Sequence, residues 1–216
     1  MRCAAIVVAG GSGRRFGGLK QFAELRGLSV AARSIAACRA VADHVVLVTP
    51  EGMELDAHGA DQVVTGGESR SDSVRAGLAC LDQSVEVVVV HDAARPLALD
   101  DLFHAVVDEI TREGTDGAIV GLAVTDTIKQ VSGVGGRRPV VATPERDSLV
   151  AVQTPQAFRA SALRRAHATE RDATDDAALL EMIGSVVVVV PGDLTNIKLT
   201  TPEDLDQAIR ILEARE

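Results

Sequence analysis

Six short apolar runs, several of them almost pure valine, recur along the chain: Ala4–Ala9, His44–Thr49, Val63–Thr65, Val85–Val90, Gly117–Val124 and Ser185–Val190. A strand with one wet face alternates apolar and polar residues. Unbroken β-branched runs predict strands buried on both faces, the pattern of a parallel sheet covered by helices. Helix-like segments lie between them at Leu28–Val41, Ser71–Leu81, Asp100–Arg112, Ser161–Glu170, Asp175–Ile183 and Pro202–Ala214. The last opens Thr201-Pro202-Glu203-Asp204, which supplies an N-cap, a proline at the first helical position and acids at the positive end of the helix dipole. The alternation predicts an α/β, Rossmann-like, doubly wound and mostly parallel sheet.

One stretch breaks the rhythm. At about 126–152, two short strands, Thr127–Val131 and Val140–Ala142, flank the glycine-rich Ser132-Gly133-Val134-Gly135-Gly136-Arg137-Arg138-Pro139. This reads as a protruding β-hairpin arm. Such an arm cannot bury itself on a two-layer core, so a second subunit is the expected partner. With no repeat, low-complexity tract or linker, 1–216 is expected to be a single domain.

The 22 Lys and Arg stand against 31 Asp and Glu, a net charge of −9. Four Phe with no Trp or Tyr leave few platforms for stacked bases. Together these disfavour nucleic acid and anionic membrane as partners. Cys3, Cys38 and Cys80 are widely spaced and odd in number, which fits neither a metal motif nor a disulfide framework. The apolar start breaks into glycines and arginines before any small-residue cleavage site, and no run approaches the ~20 apolar residues of a membrane helix. A cytoplasmic protein is expected.

After the first strand comes Ala9-Gly10-Gly11-Ser12-Gly13-Arg14-Arg15-Phe16-Gly17-Gly18-Leu19-Lys20-Gln21. It fits neither a dinucleotide fingerprint, whose third glycine would have to come one residue earlier than Gly17, nor a P-loop, since Lys20 lies between Leu19 and Gln21. What remains is a glycine loop with three cations, Arg14, Arg15 and Lys20, at the carboxyl end of a strand, where open α/β sheets bind ligands. Glycine N–H groups and cations on an acidic protein suit a small polyphosphate.

Four further segments make the pattern specific: Gly66-Gly67-Glu68-Ser69-Arg70-Ser71-Asp72-Ser73-Val74, Val90-His91-Asp92-Ala93-Ala94-Arg95-Pro96, Thr154-Pro155-Gln156-Ala157-Phe158, and Asn196-Ile197-Lys198-Leu199-Thr200-Thr201-Pro202-Glu203-Asp204-Leu205. In order, and over nearly the whole chain, they resemble the 2-C-methyl-D-erythritol 4-phosphate cytidylyltransferase family. The resemblance implies attack of a polyol phosphate on the α-phosphorus of CTP with release of pyrophosphate, in isoprenoid precursor synthesis. It implies Mg²⁺ as cofactor and a homodimer joined through the arm.

Residue by residue, Arg15, Lys20 and Lys198 match the family's catalytic cations. Ala9, Gly10, Gly11, Gly13, Arg14, Gly67, Glu68, Arg70, Ser73, Asp92 and Ala93 match its CTP-binding positions. Asp92, Arg95, Thr127, Arg146, Thr154 and Lys198 match positions for the second substrate, with Thr127 and Arg146 reaching a neighbouring subunit's site. Asp92 is also the expected metal ligand. The Arg15–Lys20 span is shorter than usual in the family, with Leu19 in place of a proline, so the loop takes a different path. His91 reads as structural, Ser69 or Ser71 as a cap of the following helix, and Thr174 as the cap of another. Two rivals remain at this point: a ribitol 5-phosphate cytidylyltransferase, and a non-catalytic nucleotide-binding regulator on the same fold.

Overall fold

The computed structural model describes residues 1–10, 21, 23–52, 57–133 and 135–215. A seven-stranded sheet forms its centre. The strands are β1 (Cys3–Val8), β4 (His44–Thr49), β5 (Gln62–Thr65), β6 (Val87–Asp92), β7 (Gly117–Ala123), β10 (Val150–Arg159) and β11 (Val187–Pro191). Their spatial order is β11-β7-β10-β6-β1-β4-β5. All pairings are parallel except those of β10, which runs antiparallel to both β6 and β7. The expected doubly wound, mostly parallel sheet is present.

Alternate residues of each strand feed two separate cores. Ala5, Val7, Val45, Leu47, Val87 and Val89 face Ile35 of α1 (Val30–Cys38) and Phe103, Val106 and Ile110 of α3 (Asp100–Thr111). Ala4, Ile6, Val46, Val48, Val88 and Val90 face Val74 and Leu78 of α2 (Arg70–Ala79), Leu163 of α4 (Ala160–His167) and Leu179 and Leu180 of α5 (Asp176–Glu181). Burial on both faces is why the strands need no polar alternation. The C-terminal helix α6 (Pro202–Glu213) contributes Ala208 to a third, smaller core with Leu25, Val30, Leu97 and Leu199. Asp204 accepts the N–H groups of Thr200 at 2.6 Å and Thr201 at 2.8 Å, which closes that helix's first turn.

β10 is the main strand absent from the sequence reading. Its stretch carries Pro155 between polar residues, and proline ordinarily argues against a central strand. The chain accommodates it at a register shift between Gln153 and Gln156, where the ladder to β7 is interrupted. A tight hairpin was also missed: β2 (Glu24–Leu25) pairs with β3 (Leu28–Ser29) through Arg26 and Gly27, both at positive φ. That hairpin delays α1, which starts at Val30 with Ser29 as its cap, the hydroxyl accepting from Ala32 N–H at 3.0 Å.

The arm is present with altered limits. β8 (Gln130–Val131) and β9 (Val140–Ala142) pair only with each other, so the first arm strand is shorter than Thr127–Val131. Val150–Val152, expected in the arm, already belong to β10 and pair with β7. Ile128, Val140, Val141, Val150 and Val152 are exposed. Among the described residues no helix is long and apolar enough to cross a membrane.

Candidate active site

The chain runs from β1 to β4 and β5 on one side, then returns to place β6 on the other side of β1. The carboxyl ends of β1 and β6 therefore open onto a crevice at the point where strand order reverses, the usual ligand position in open α/β sheets. Main-chain bonds fix its floor: Ala9 N–H donates to Val48 C=O at 2.8 Å, Ala93 N–H to Val8 C=O at 3.0 Å, and Leu199 N–H to Ala94 C=O at 2.8 Å. From α1, the Ser34 hydroxyl donates to Ala93 C=O at 2.8 Å.

Two cavities meet there. The larger, about 430 Å³, is lined by Ala9, Gly10, Gly67, Glu68, Ser73 and Ala93 among others. The smaller, about 270 Å³, is lined by Arg95, Thr154, Gln156, Thr174 and Asp175 among others. Arg70, Asp92 and Lys198 line both. They form the charged wall between the two compartments.

Asp92 is the hub. Lys198 Nζ donates to its Oδ2 at 2.6 Å, and Arg70 Nε lies 3.8 Å from its Oδ1. Burial alone would raise the Asp92 pKa, but the charges of Lys198 and Arg70 overturn this and bring it down to about 2. The carboxyl is therefore ionised at neutral pH. Arg70 has a second anchor, Asp176, whose Oδ2 accepts from its Nη1 at 2.7 Å. Asp176 is fully buried at the start of α5, and its Oδ1 accepts from His167 Nε2 at 2.9 Å.

His91 behaves as the structural residue expected. It is fully buried, and burial depresses its pKa to about 4. Its Nε2 faces Arg95 C=O at 3.2 Å, which can only accept, so Nε2 carries the proton. Nδ1 then accepts from the Thr154 hydroxyl at 3.1 Å, while Thr154 Oγ1 accepts Asp92 N–H at 3.0 Å. Thr154, expected at the second substrate, thus also carries the backbone of Asp92. Arg95 donates to Asn196 C=O at 2.7 Å and Val152 C=O at 3.4 Å, tying the Lys198 segment to β10.

The Gly66–Ser73 segment shows why glycines stand there. A Cβ on Gly67 would lie 2.3 Å from Asp72 Cβ, and one on Gly66 2.5 Å from Ser73 Oγ. The turn presses against the start of α2, where Ser69 and Asp72 form a reciprocal capping box. Ser69 is the cap, and Ser71 instead accepts Ala173 N–H at 3.3 Å. The cap of α5 is Asp175, accepting from Ala178 N–H at 3.0 Å, and not Thr174, which is exposed at the second cavity. Asp caps as well as Thr, and the two are adjacent in sequence.

Thr127 and Arg146 are exposed on the arm, where Arg146 Nη1 donates to Thr125 C=O at 3.1 Å; among the described residues lining the two cavities they do not figure. Gly11, Gly13, Arg14, Arg15 and Lys20 lie outside the described residues.

A profile of the 2-C-methyl-D-erythritol 4-phosphate cytidylyltransferase family matches residues 3–214. The chain belongs to this family. A cytidylyltransferase of that name from Streptomyces avermitilis is 43% identical, over 99% of this chain and 93% of its own length. One from Deinococcus radiodurans is 42% identical, over 94% and 87%. Among solved structures, the 4-diphosphocytidyl-2C-methyl-D-erythritol synthase of Anaerococcus prevotii superposes with a TM-score of 0.82 at 30% identity, covering 98% of each chain. The cytidylyltransferase of Thermus thermophilus gives 0.80 at 30% identity, covering 96% of this chain and 98% of that one. In this member of the cytidylyltransferase family, the buried polar residues that stand outside every motif read from the sequence include Gln153 and His167. Only their burial distinguishes them, and burial of a polar side chain leaves no local signal in sequence.

Proposed function

We propose that this chain transfers the cytidylyl group of CTP to 2-C-methyl-D-erythritol 4-phosphate and releases pyrophosphate. One observation carries the reading: two adjoining cavities share Arg70, Asp92 and Lys198, in a chain of a family named for that reaction. A reaction between two phosphorylated substrates needs such a divided site. An oxygen of the polyol phosphate forms the new bond to the α-phosphorus. The bond from that phosphorus to the oxygen bridging to the β-phosphate breaks, and its electrons leave with pyrophosphate.

In this reading CTP occupies the larger cavity, against Ala9, Gly10, Gly67, Glu68, Arg70, Ser73, Asp92 and Ala93. The polyol phosphate occupies the smaller, near Arg95, Thr154 and Lys198. Lys198 reaches both and stabilises charge as it develops on the transferring phosphorus, joined by Arg15 and Lys20 from the glycine loop. Catalysis is then positioning plus fixed positive charge.

Magnesium fits the donor set as a companion of the triphosphate. No group of three acidic, His or Cys side chains that could hold a metal exists among the described residues. Asp92 Oδ1, 3.8 Å from Arg70, keeps a free lone pair for one ligand bond. The ion would neutralise phosphate charge, with its other ligands from phosphate and water. The arm residues Thr127 and Arg146 would complete the second cavity of a partner subunit. Exposed Val140 and Val141 on an isolated two-stranded hairpin, with exposed Ile128 just before its first strand, support a covering copy, since such a hairpin is marginal in water. Free thiols at Cys3, Cys38 and Cys80 suit the cytoplasm.

The test is pyrophosphate release with CTP and Mg²⁺, offering methylerythritol 4-phosphate and ribitol 5-phosphate in parallel, with UTP as nucleotide control. Methylerythritol phosphate with CTP is the expected pair, and every relative named above points away from ribitol. Equal release with UTP, or none with CTP, overturns the reading.

A further inference from the structure

Arg70 is the one member of the shared wall that is held from behind. Its Nη1 meets Asp176 Oδ2 at 2.7 Å, closer than its Nε approaches Asp92 Oδ1 at 3.8 Å. Asp176 has no solvent exposure, so its charge is compensated inside the protein or not at all. Compensation comes from two sides, Arg70 on Oδ2 and His167 Nε2 on Oδ1 at 2.9 Å. An ionised carboxylate only accepts, so His167 Nε2 carries the shared proton; Nδ1 is buried and meets no partner among the described residues. His167 therefore has one polar task, to fix Asp176. The chain His167–Asp176–Arg70 runs from the last turn of α4 through the first residue of α5 to the wall of both cavities.

We propose that Asp176 and His167 are positioning residues for cytidylyl transfer, acting through Arg70 by holding its guanidinium between the two cavities and short of a close pair with Asp92. Without Asp176, Arg70 swings to Asp92, where Lys198 already sits at 2.6 Å. Two cations then compete for one carboxylate, and Lys198 loses the partner that aims it. Burial opposes ionisation of Asp176, and the His167 bond and the Arg70 charge reverse this, keeping it a carboxylate able to anchor Arg70. The same neighbourhood braces the start of α2: the Ser69 hydroxyl donates to Asp172 Oδ1 at 2.6 Å and Arg75 Nη1 to Arg171 C=O at 3.2 Å, and of these residues Arg70 alone lines both cavities.

This inference rests on the cytidylyl transfer proposed above, and pyrophosphate release by the unaltered chain separates the two. If the unaltered chain releases none with CTP and methylerythritol phosphate, that reading fails. If it does, the variants judge the inference. Asp176→Asn should lower kcat/KM for CTP by about tenfold or more, the scale of a misplaced charged group. In an Arg70→Met background the same change should have no further effect, because its only route is gone. His167→Leu should reproduce the loss, and His167→Gln, whose amide N–H reaches the Nε2 position, should restore it. Circular dichroism confirms folding of each variant. Should Arg70→Met fail to fold, the His167 pair decides. A folded His167→Leu with unaltered kcat/KM, or Asp176→Asn adding its full loss on top of Arg70→Met, overturns the inference.

Discussion

Lys198 Nζ lies 2.6 Å from Asp92 Oδ2, an ion pair between the end of β6 and a segment 106 positions later that closes the site from the far end of the chain. It does two things. It aims the only lysine among the described residues lining either cavity, and it keeps a buried carboxyl ionised.

Lys198→Met removes both. Turnover should fall about a hundredfold or more, as when a charge stabiliser is deleted from a transition state. Asp92 supplies a second readout. Its folded pKa is depressed to about 2 from an ordinary 3.8, so its contribution is complete above pH 4 and is lost as pH falls toward 2. That contribution is on the order of 2 kcal/mol. In Lys198→Met the carboxyl protonates at higher pH, so acid unfolding followed by circular dichroism should begin earlier. An unchanged acid midpoint would mean that Arg70 alone keeps Asp92 ionised.

His91 governs a different window. Burial lowers its pKa from 6.5 to about 4, so the folded chain resists protonation while the unfolded chain accepts it. Stability is therefore full above pH 6.5 and declines as pH falls toward 4, by on the order of 3 kcal/mol from this group. His91→Gln keeps a donor toward Arg95 C=O and does not titrate. Urea unfolding at pH 7, 5.5 and 4.5 should show the variant losing less stability than the parent over this range. Parallel losses would assign the slope to other groups.

Gly67→Ala tests the close approach of the Gly66–Gly67 turn to α2. The added methyl would lie 2.3 Å from Asp72 Cβ, so the turn or the capping box must shift. A cost of about 1–2 kcal/mol in unfolding free energy is expected for this overpacking, with a raised KM for CTP and a nearly unchanged KM for the polyol phosphate. A raised polyol KM alone would put the turn beside the other substrate.

The strands feeding both cores were legible because burial on two faces leaves an uninterrupted apolar run, as at Val87–Val90 and His44–Thr49. β10 was hidden because Gln153, Thr154 and Gln156 are polar residues buried by a site, not by a core, and Pro155 sits where the ladder breaks. The glycine turn at Gly66–Gly67 and the acid at Asp92 stood out by their place after a strand. Asp176 and His167 did not, since the meaning of Asp176 lies in its contact with Arg70 across 106 positions, and that of His167 in its bond to Asp176, in no local pattern. The alternative caps Thr174 and Asp175 show the same limit at short range: propensity allows both, and only geometry chooses.

The arm separates two kinds of site residue, which permits a complementation test. Arg146 and Thr127 are exposed on the arm, whereas Lys198 lines the cavities of its own chain. If the arm serves a partner, Arg146→Ala should raise the KM for the polyol phosphate about tenfold or more and leave that for CTP nearly unchanged, because it removes a charge-assisted phosphate bond. Mixing inactive Lys198→Met with Arg146→Ala should then restore activity. In a mixed dimer one of the two sites receives an intact Lys198 from one chain and an intact Arg146 from the other. The mixture must first be exchanged through mild denaturant, with dimer formation followed by sedimentation. Val141→Asp, on the exposed face of β9, should weaken association and abolish the rescue. A dimer that exchanges subunits but recovers no activity would show that each site is built from one chain, and would confine Arg146 to its own bond with Thr125.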